Sequence, residues 1–308
     1  MNSKKGTLPA ILATIAVMGM FSVSVISWSD NVTEKSQLTD WMKNLSDDKK
    51  LMDISIPGSH DSGARYGLLD AVGKCQDLTL DSQLNIGVRY LDIRLQANND
   101  GSLKIIHGPV DERVSFKEVL STCNTFLTNH PGETILLSIK NEGVDKERLK
   151  VEPAYFDDYL KASLSDEDRM LLNRDLPSTL GECRGKMILL SRYANNSIGV
   201  DCYKGWGDNV ITDLPNGIHI QDLYKVETVD EKKKAISDAL AYQSSSLNFN
   251  FLSGYLTSAF PPSYSYSVSL SINPWILDQI KDKSNLGVLI ADCVTEEFTT
   301  KVIGGNKS

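Results

Sequence analysis

Val88-Arg89-Tyr90-Leu91-Asp92-Ile93-Arg94-Leu95 is a short apolar run with an aspartate and an arginine close to its end. It reads as a buried strand, a setting in which ionisable groups are scarce. Seven further runs of this kind lie at Leu51–Ile56, Leu103–Ile106, Thr134–Ile139, Met187–Ser191, Ile218–Gln221, Leu247–Leu252 and Val288–Ala291. Helix-like stretches separate many of them. Ser115–Asn129 places Phe116, Val119, Leu120, Cys123, Phe126 and Leu127 at helical spacing, and Thr228–Tyr242 and Pro274–Lys283 read similarly. Eight strands alternating with helices predict an α/β fold, a single closed (β/α)8 barrel of the TIM type with some irregularity. An open doubly wound sheet is the rival, but no Gly-x-Gly-x-x-Gly follows any strand.

Barrel chemistry gathers where strands end and βα loops begin. Those positions hold His60-Asp61 after the first run, Asp92 with Arg94 late in the second, and His107 after the third. Lys140 follows the fourth, Arg192 the fifth, Asp222 and Tyr224 the sixth, and Asp292 the eighth. Two imidazoles can serve as general base and general acid, because each titrates near neutral pH. Arg94 keeps its proton and presents a fork that matches phosphate oxygens. Together they suit in-line phosphoryl transfer without a metal. Asp61 and Asp92 are expected to hold Arg94 or a histidine in place, and Asp292 to fix the tautomer of His60. His130, in a turn, and His219, inside a strand, read as structural.

The composition narrows the rest. Of 308 residues, 41% are apolar and 23% charged, which disfavours long disordered or fibrous regions. A net charge of -8, with no basic block longer than Lys232-Lys233-Lys234, speaks against nucleic acid as a partner. That triplet reads as the charged face of a helix. Lys4 and Lys5 precede an uncharged stretch from Gly6 to Trp28, so residues 1–27 read as a signal peptide of a secreted protein, with an uncleaved anchor as the rival. Residues 28–308 then form the catalytic barrel. Removing 1–27 takes two of 32 bases and none of 40 acids, leaving a charge near -10, too acidic for bulk attraction to anionic membranes. Cys75, Cys123, Cys183, Cys202 and Cys293 form no Cys-x-x-Cys, and their odd number leaves at least one thiol unpaired. They read as small buried hydrophobes with one or two bridges at most.

Three segments carry a resemblance: Ile56-Pro57-Gly58-Ser59-His60-Asp61-Ser62, Gly87-Val88-Arg89-Tyr90-Leu91-Asp92-Ile93-Arg94 and Ile106-His107-Gly108. It continues through Leu137–Glu142, Ser191-Arg192-Tyr193, Gln221–Val226, Ile272-Asn273-Pro274 and Ala291-Asp292. In order and spacing the chain resembles the small secreted bacterial phosphatidylinositol-specific phospholipases C from about Trp41 to Val294. The resemblance implies a lyase acting on phosphatidylinositol, and possibly on glycosyl-phosphatidylinositol anchors, with transient docking at a membrane surface and action as a monomer. His60 then deprotonates the inositol 2-hydroxyl, and His107 protonates the departing diacylglycerol. Lys140, Arg192, Asp222 and Tyr224 match inositol-binding positions. Eukaryotic relatives bind calcium through acids at equivalent strand ends, whereas Arg94 and Lys140 stand there in this chain, so no metal and no cofactor is expected.

The uncharged segment Tyr255–Tyr266 supplies candidate membrane-rim residues Phe260, Tyr264 and Tyr266, and Leu69 and Val72 form a second candidate rim. Two other readings remain. One is a calcium-dependent or other metal-dependent barrel phosphodiesterase, against which Arg94 speaks. The other is a non-catalytic inositol-lipid binding protein, against which the retention of His60, His107 and Arg94 speaks.

Overall fold

A computed structural model describes residues 37–67, 73–143, 154–242, 245–258 and 265–306. The expected signal segment, Phe260, Tyr264 and the Leu68–Val72 rim lie outside these residues. Among the described residues, seven strands of four or more residues run parallel in one curled sheet. In chain order they are β1 (Ile56–Ser59), β2 (Tyr90–Ala97), β5 (Ile135–Asn141), β7 (Met187–Arg192), β10 (Ile218–Asp222), β12 (Leu247–Phe251) and β14 (Val288–Ala291). Their order across the sheet is β7-β5-β2-β1-β14-β12-β10. β6 (Met170–Leu171) and β8 (Val200–Asp201) both pair in parallel with β7, β9 (Val210–Leu214) lies antiparallel beside β10, and β11 (Lys225–Val226) pairs with β13 (Tyr255–Leu256) apart from this sheet. The α/β barrel class holds, but the ring is not closed by backbone pairing: among the described residues no ladder joins β9 to β6 or β8.

One expected stave is something else. β3 (Leu103–His107) runs antiparallel to β2, with Leu95 opposite Ile105, and continues into the antiparallel β4 (Val110–Ser115). The cause is chain length. Only five residues separate β2 from β3, where a parallel crossover takes a dozen or more. Asn98 and Ser102 close the turn with a 2.8 Å backbone bond, and Gly101 takes φ 84°. The first run also starts later than its sequence suggests, because Leu51–Asp53 forms a 3-10 turn before β1.

Period-two alternation decides which side chains face inward. Leu91, Ile93 and Leu95 pack outward with the helices, whereas Tyr90, Asp92 and Arg94 share the inner face. The register then stacks three rows across neighbouring strands. Tyr90, Leu136 and Ile188 form an apolar floor; Asp92, Ser138 and Leu190 lie above it; Arg94, Lys140 and Arg192 form the top row. Layered inward side chains of this kind leave the uppermost row at the C-terminal mouth.

The helices cover the outer face. The helix Phe116–Asn129 starts from a capping box in which Ser115 accepts from the Glu118 amide and the Glu118 carboxylate accepts from the Ser115 amide. All six apolar positions expected on its inner face are buried. The helix Val229–Ala241 is capped by Thr228, but it buries Lys232 completely, so the lysine triplet is not a uniformly solvated face. The helix expected at Pro274–Lys283 instead spans Ser265–Gln279 with Pro274 inside it. Val268, Ile272, Ile276 and Ile280 recur every fourth residue and are buried, so one continuous apolar stripe carries the helix past the proline. All five cysteines are free thiols.

Candidate active site

His60 follows β1, and its two ring nitrogens have unlike partners. Nδ1 lies 2.7 Å from Asp292 Oδ1, and Nε2 lies 2.6 Å from Arg94 Nη2. A carboxylate only accepts and a guanidinium only donates, so this geometry holds neutral His60 with its proton on Nδ1. Gln76 locks the local backbone, since its Nε2 donates to the carbonyls of His60 and Ala291 at 2.7 and 2.9 Å. Burial opposes a charge on His60 most strongly, but Asp292 beside the ring outweighs it, and the pKa is raised above the ordinary value.

Arg94 is the hub. It lies 3.1 Å from Asp61 Oδ2, 3.1 Å from Asp92 Oδ2 and 3.6 Å from Glu142 Oε1. Burial works against its charge, yet these three acids more than compensate and hold it protonated. Burial alone would raise the Asp92 carboxyl, but Arg94 and Arg192 hold it well below the usual carboxylate range.

His107 arrives from the end of the antiparallel β3 rather than from a parallel stave. Its Nδ1 donates to the Gly73 carbonyl at 2.6 Å, and its Nε2 lies 3.3 Å from Asp61 Oδ2. A carboxylate only accepts, so Nε2 meets Asp61 favourably when it carries a proton. The two histidines therefore present unlike ring nitrogens, His60 Nε2 accepting from Arg94 and His107 Nε2 facing the Asp61 carboxylate that also pairs with Arg94.

A cavity of about 550 Å³ opens over these groups and extends to Lys140, Arg192, Asp222 and Tyr224. Arg192 lies 3.3 Å from Asp92 and 3.5 Å from Asp222, with its guanidinium carbon 3.4 Å from the Trp206 ring centroid. Trp206 Nε1 donates to Asp222 Oδ2 at 3.0 Å. Lys140 pairs with Glu142 at 2.8 Å. The Tyr224 hydroxyl bonds to Asp208, and burial together with that bond pushes its pKa up to about 12. His130 and His219 pair with Asp40 and Asp213 instead and do not line the cavity. Of the rim candidates, Tyr266 falls in the helix Ser265–Gln279.

Several contributors were not singled out from the sequence. Glu142 stands inside a quoted motif, yet its bridge between Arg94 and Lys140 needs the β2–β5 register. Trp206, Asp208 and Gln76 reach the site from segments whose local sequence shows no pattern. Cys75 is a fourth such residue. Asp61, Cys75 and His107 each place one ligand atom within 4.8 Å of the others, and so do His60, Cys75 and Asp292. Neither set suits calcium. Each offers a single carboxylate beside a thiol and an imidazole, where calcium takes six to eight oxygens, and Arg94 stands between Asp61 and Asp92.

Comparison with known proteins gives a consistent result. Residues 49–193 match the family described as phosphatidylinositol-specific phospholipase C, X domain. A 1-phosphatidylinositol phosphodiesterase of Staphylococcus aureus (strain Newman) is 31% identical over 308 residues, covering 91% of this chain and 97% of that protein. One from Listeria monocytogenes is 29% identical over 304 residues, covering 94% and 92%. A crystal structure of the Staphylococcus aureus phosphatidylinositol-specific phospholipase C superposes with a TM-score of 0.78 at 28% identity, over 89% of this chain and 99% of that one. The Listeria monocytogenes enzyme superposes with a TM-score of 0.70 at 25% identity, over 88% and 99%.

Proposed function

This chain belongs to the phosphatidylinositol-specific phospholipase C family, and from that premise we propose how its residues divide the chemistry. It is a phospholipase C that cleaves phosphatidylinositol, a lyase in reaction type. The observation that carries the proposal is the pair of histidines tied to Arg94, His60 directly and His107 through the shared Asp61 carboxylate. His60 Nε2 takes the proton of the inositol 2-hydroxyl as that oxygen bonds to phosphorus. Arg94 moves from the His60 lone pair onto the phosphate oxygens and stabilises the charge that builds there. His107 Nε2 gives its proton to the glycerol oxygen as the phosphorus–oxygen bond breaks. Diacylglycerol and inositol 1,2-cyclic phosphate leave, with no metal taking part. Asp292 orients His60, and Asp61 and Asp92 orient Arg94. Lys140, Arg192 and Asp222 bind the inositol hydroxyls, and the Tyr224 ring covers the sugar's apolar face.

We further propose that residues 1–27 direct secretion, that 28–308 form one catalytic unit acting as a monomer, and that glycosyl-phosphatidylinositol anchors are also substrates. Membrane binding is a property of the Staphylococcus aureus relative. Here it is assigned to Phe260, Tyr264 and Tyr266, because the acidic chain offers no bulk attraction to anionic lipid.

Phosphorus NMR of the products from phosphatidylinositol, with chelator present, tests the chemistry. The cyclic phosphate is expected first and with undiminished yield. Appearance of only the acyclic phosphate, or a loss that calcium alone restores, would refute the assignment.

A further inference from the structure

We propose that Asp61, Cys75 and His107 form a binding site for a thiophilic divalent cation, zinc above others, whose occupancy shuts the catalytic centre. Only the shutting rests on the function proposed above; the binding does not.

Cys75 is wholly buried, yet its sulfur lies within 4.8 Å of one ligand atom each of Asp61 and His107. Three features make this more than a chance meeting. Asp61 is completely buried, and neither carboxylate oxygen accepts a hydrogen bond; its Oδ2 has only ion pairs to Arg94 and His107. His107 Nδ1 donates to the Gly73 carbonyl, the kind of bond that orients a metal-ligating histidine and leaves Nε2 as the donor atom. The three donors are also a thiol, an imidazole and a carboxylate, a set that tetrahedral zinc accepts and that calcium and magnesium do not.

Size and charge agree with zinc. Zinc–ligand bonds of about 2.0–2.3 Å at tetrahedral angles place donors roughly 3.3–3.7 Å apart, a spacing that His107 Nε2 and Asp61 Oδ2 already hold at 3.3 Å, with the Cys75 sulfur within 4.8 Å of the ligand atoms of both residues. A thiolate and a carboxylate together neutralise the ion, and Arg94 keeps Asp92 and Glu142 as partners. The exchange balances: zinc replaces the Cys75 thiol proton and any proton on His107 Nε2, these leave to solvent, and no electrons move. His107 reaches the open cavity, which gives the ion an entry path. Once Nε2 is metal-bound it has no proton for the leaving oxygen, and Asp61 is drawn away from Arg94.

The test uses the full chain with cobalt(II) as a spectroscopic stand-in, and zinc in phosphatidylinositol-cleavage assays. Wild-type protein should show a thiolate-to-cobalt charge-transfer band that zinc abolishes. Zinc should lower the cleavage rate at least tenfold, reversibly with chelator, while equal calcium or magnesium does nothing. Cys75→Ala and Cys75→Ser should lose the band and weaken zinc inhibition by about tenfold or more, each read against its own metal-free rate. Cys293→Ala, altering the neighbouring thiol, should keep both effects, and with the wild-type spectra it decides the matter even if the Cys75 variants fail to fold. A wild-type chain without the band, a band that survives Cys75→Ala or is lost in Cys293→Ala, or calcium inhibition equal to zinc's would overturn the site. A chain that binds cobalt through Cys75 but cleaves no phosphatidylinositol would refute the function and leave the site standing.

Discussion

Arg94 Nη2 lies 2.6 Å from His60 Nε2, so the cation meant for the phosphate rests on the lone pair meant for the hydroxyl. Each guards the other until substrate separates them. Lysine has a single nitrogen and cannot hold His60, Asp61 and Asp92 together. Arg94→Lys should therefore lower kcat by about 10²–10³-fold with a small change in KM. Initial rates on phosphatidylinositol check this, and a loss under tenfold would remove Arg94 from the transition state.

His60 must be neutral to act as base, and its pKa is raised above 6.5, by Asp292 working against burial. Activity should accordingly fall as pH drops through a value above 6.5. Asp292→Asn removes the raising influence, so its acidic limb should move to lower pH. The pH profile of kcat/KM, which reports the free enzyme, reads both. An unmoved limb would assign that titration to another group.

Lys232 is buried beneath the site, donates to the Leu223 carbonyl at 2.7 Å and is pulled down to about 7 by burial, against the raising influence of Asp222 and Asp292. Between that value and the ordinary 10.5, the unfolded chain binds the extra proton, so stability rises with pH across the window. Below it the folded protein carries the full cost of a desolvated ammonium. Lys232→Met should gain stability over the natural chain at about pH 6, with the advantage shrinking by about pH 9, at roughly 2–4 °C in Tm per kcal/mol. Thermal unfolding at the two pH values checks the trend. An equal shift at both would mean the lysine is not neutralised.

Trp206 supports Arg192 from 3.4 Å and also bonds Asp222. Trp206→Leu should raise KM more than it lowers kcat. A stacked cation of this kind contributes about 0.5–2 kcal/mol, which is roughly two- to thirtyfold. Steady-state kinetics that show a pure kcat defect would contradict a binding role for Arg192.

Phe260→Ala with Tyr264→Ala should weaken binding to phosphatidylinositol-containing vesicles yet leave hydrolysis of soluble inositol cyclic phosphate near its starting rate. Vesicle sedimentation and the soluble assay measure the two separately, and equal losses would place these rings inside the site rather than at the membrane.

The sequence revealed what obeys local periodicity. Helical spacing picked out the buried face of Ser115–Asn129, the apolar runs Val88–Leu95 and Thr134–Ile139 read as strands, and ionisable residues at strand ends located the chemistry. Connection length, although printed in the sequence, was outweighed by composition at Leu103–Ile106, whose apolar residues read as a stave. The buried Lys232 was hidden because a lysine among lysines looks solvated until the helix is docked. The Trp206–Arg192 stack and the approach of Cys75 to Asp61 depend on segments that meet only after the sheet has curled. Pro274 misled for a different reason: proline commonly opens a helix, and here neighbouring packing holds one on both sides of it.

The row Arg94, Lys140 and Arg192 lies on three adjacent strands, and every one of its charges already has a carboxylate counterpart in Asp61, Asp92, Glu142 or Asp222. The mouth is thus an ionic lattice in balance, not a reservoir of positive potential. A headgroup enters by substituting for internal partners one at a time, which favours a hydroxyl-rich ring bearing a single anionic diester. Among the described residues of this row, each additional phosphate on that ring would face acids with no unpaired cation beside them, so the same lattice that orders the site also filters what can fill it.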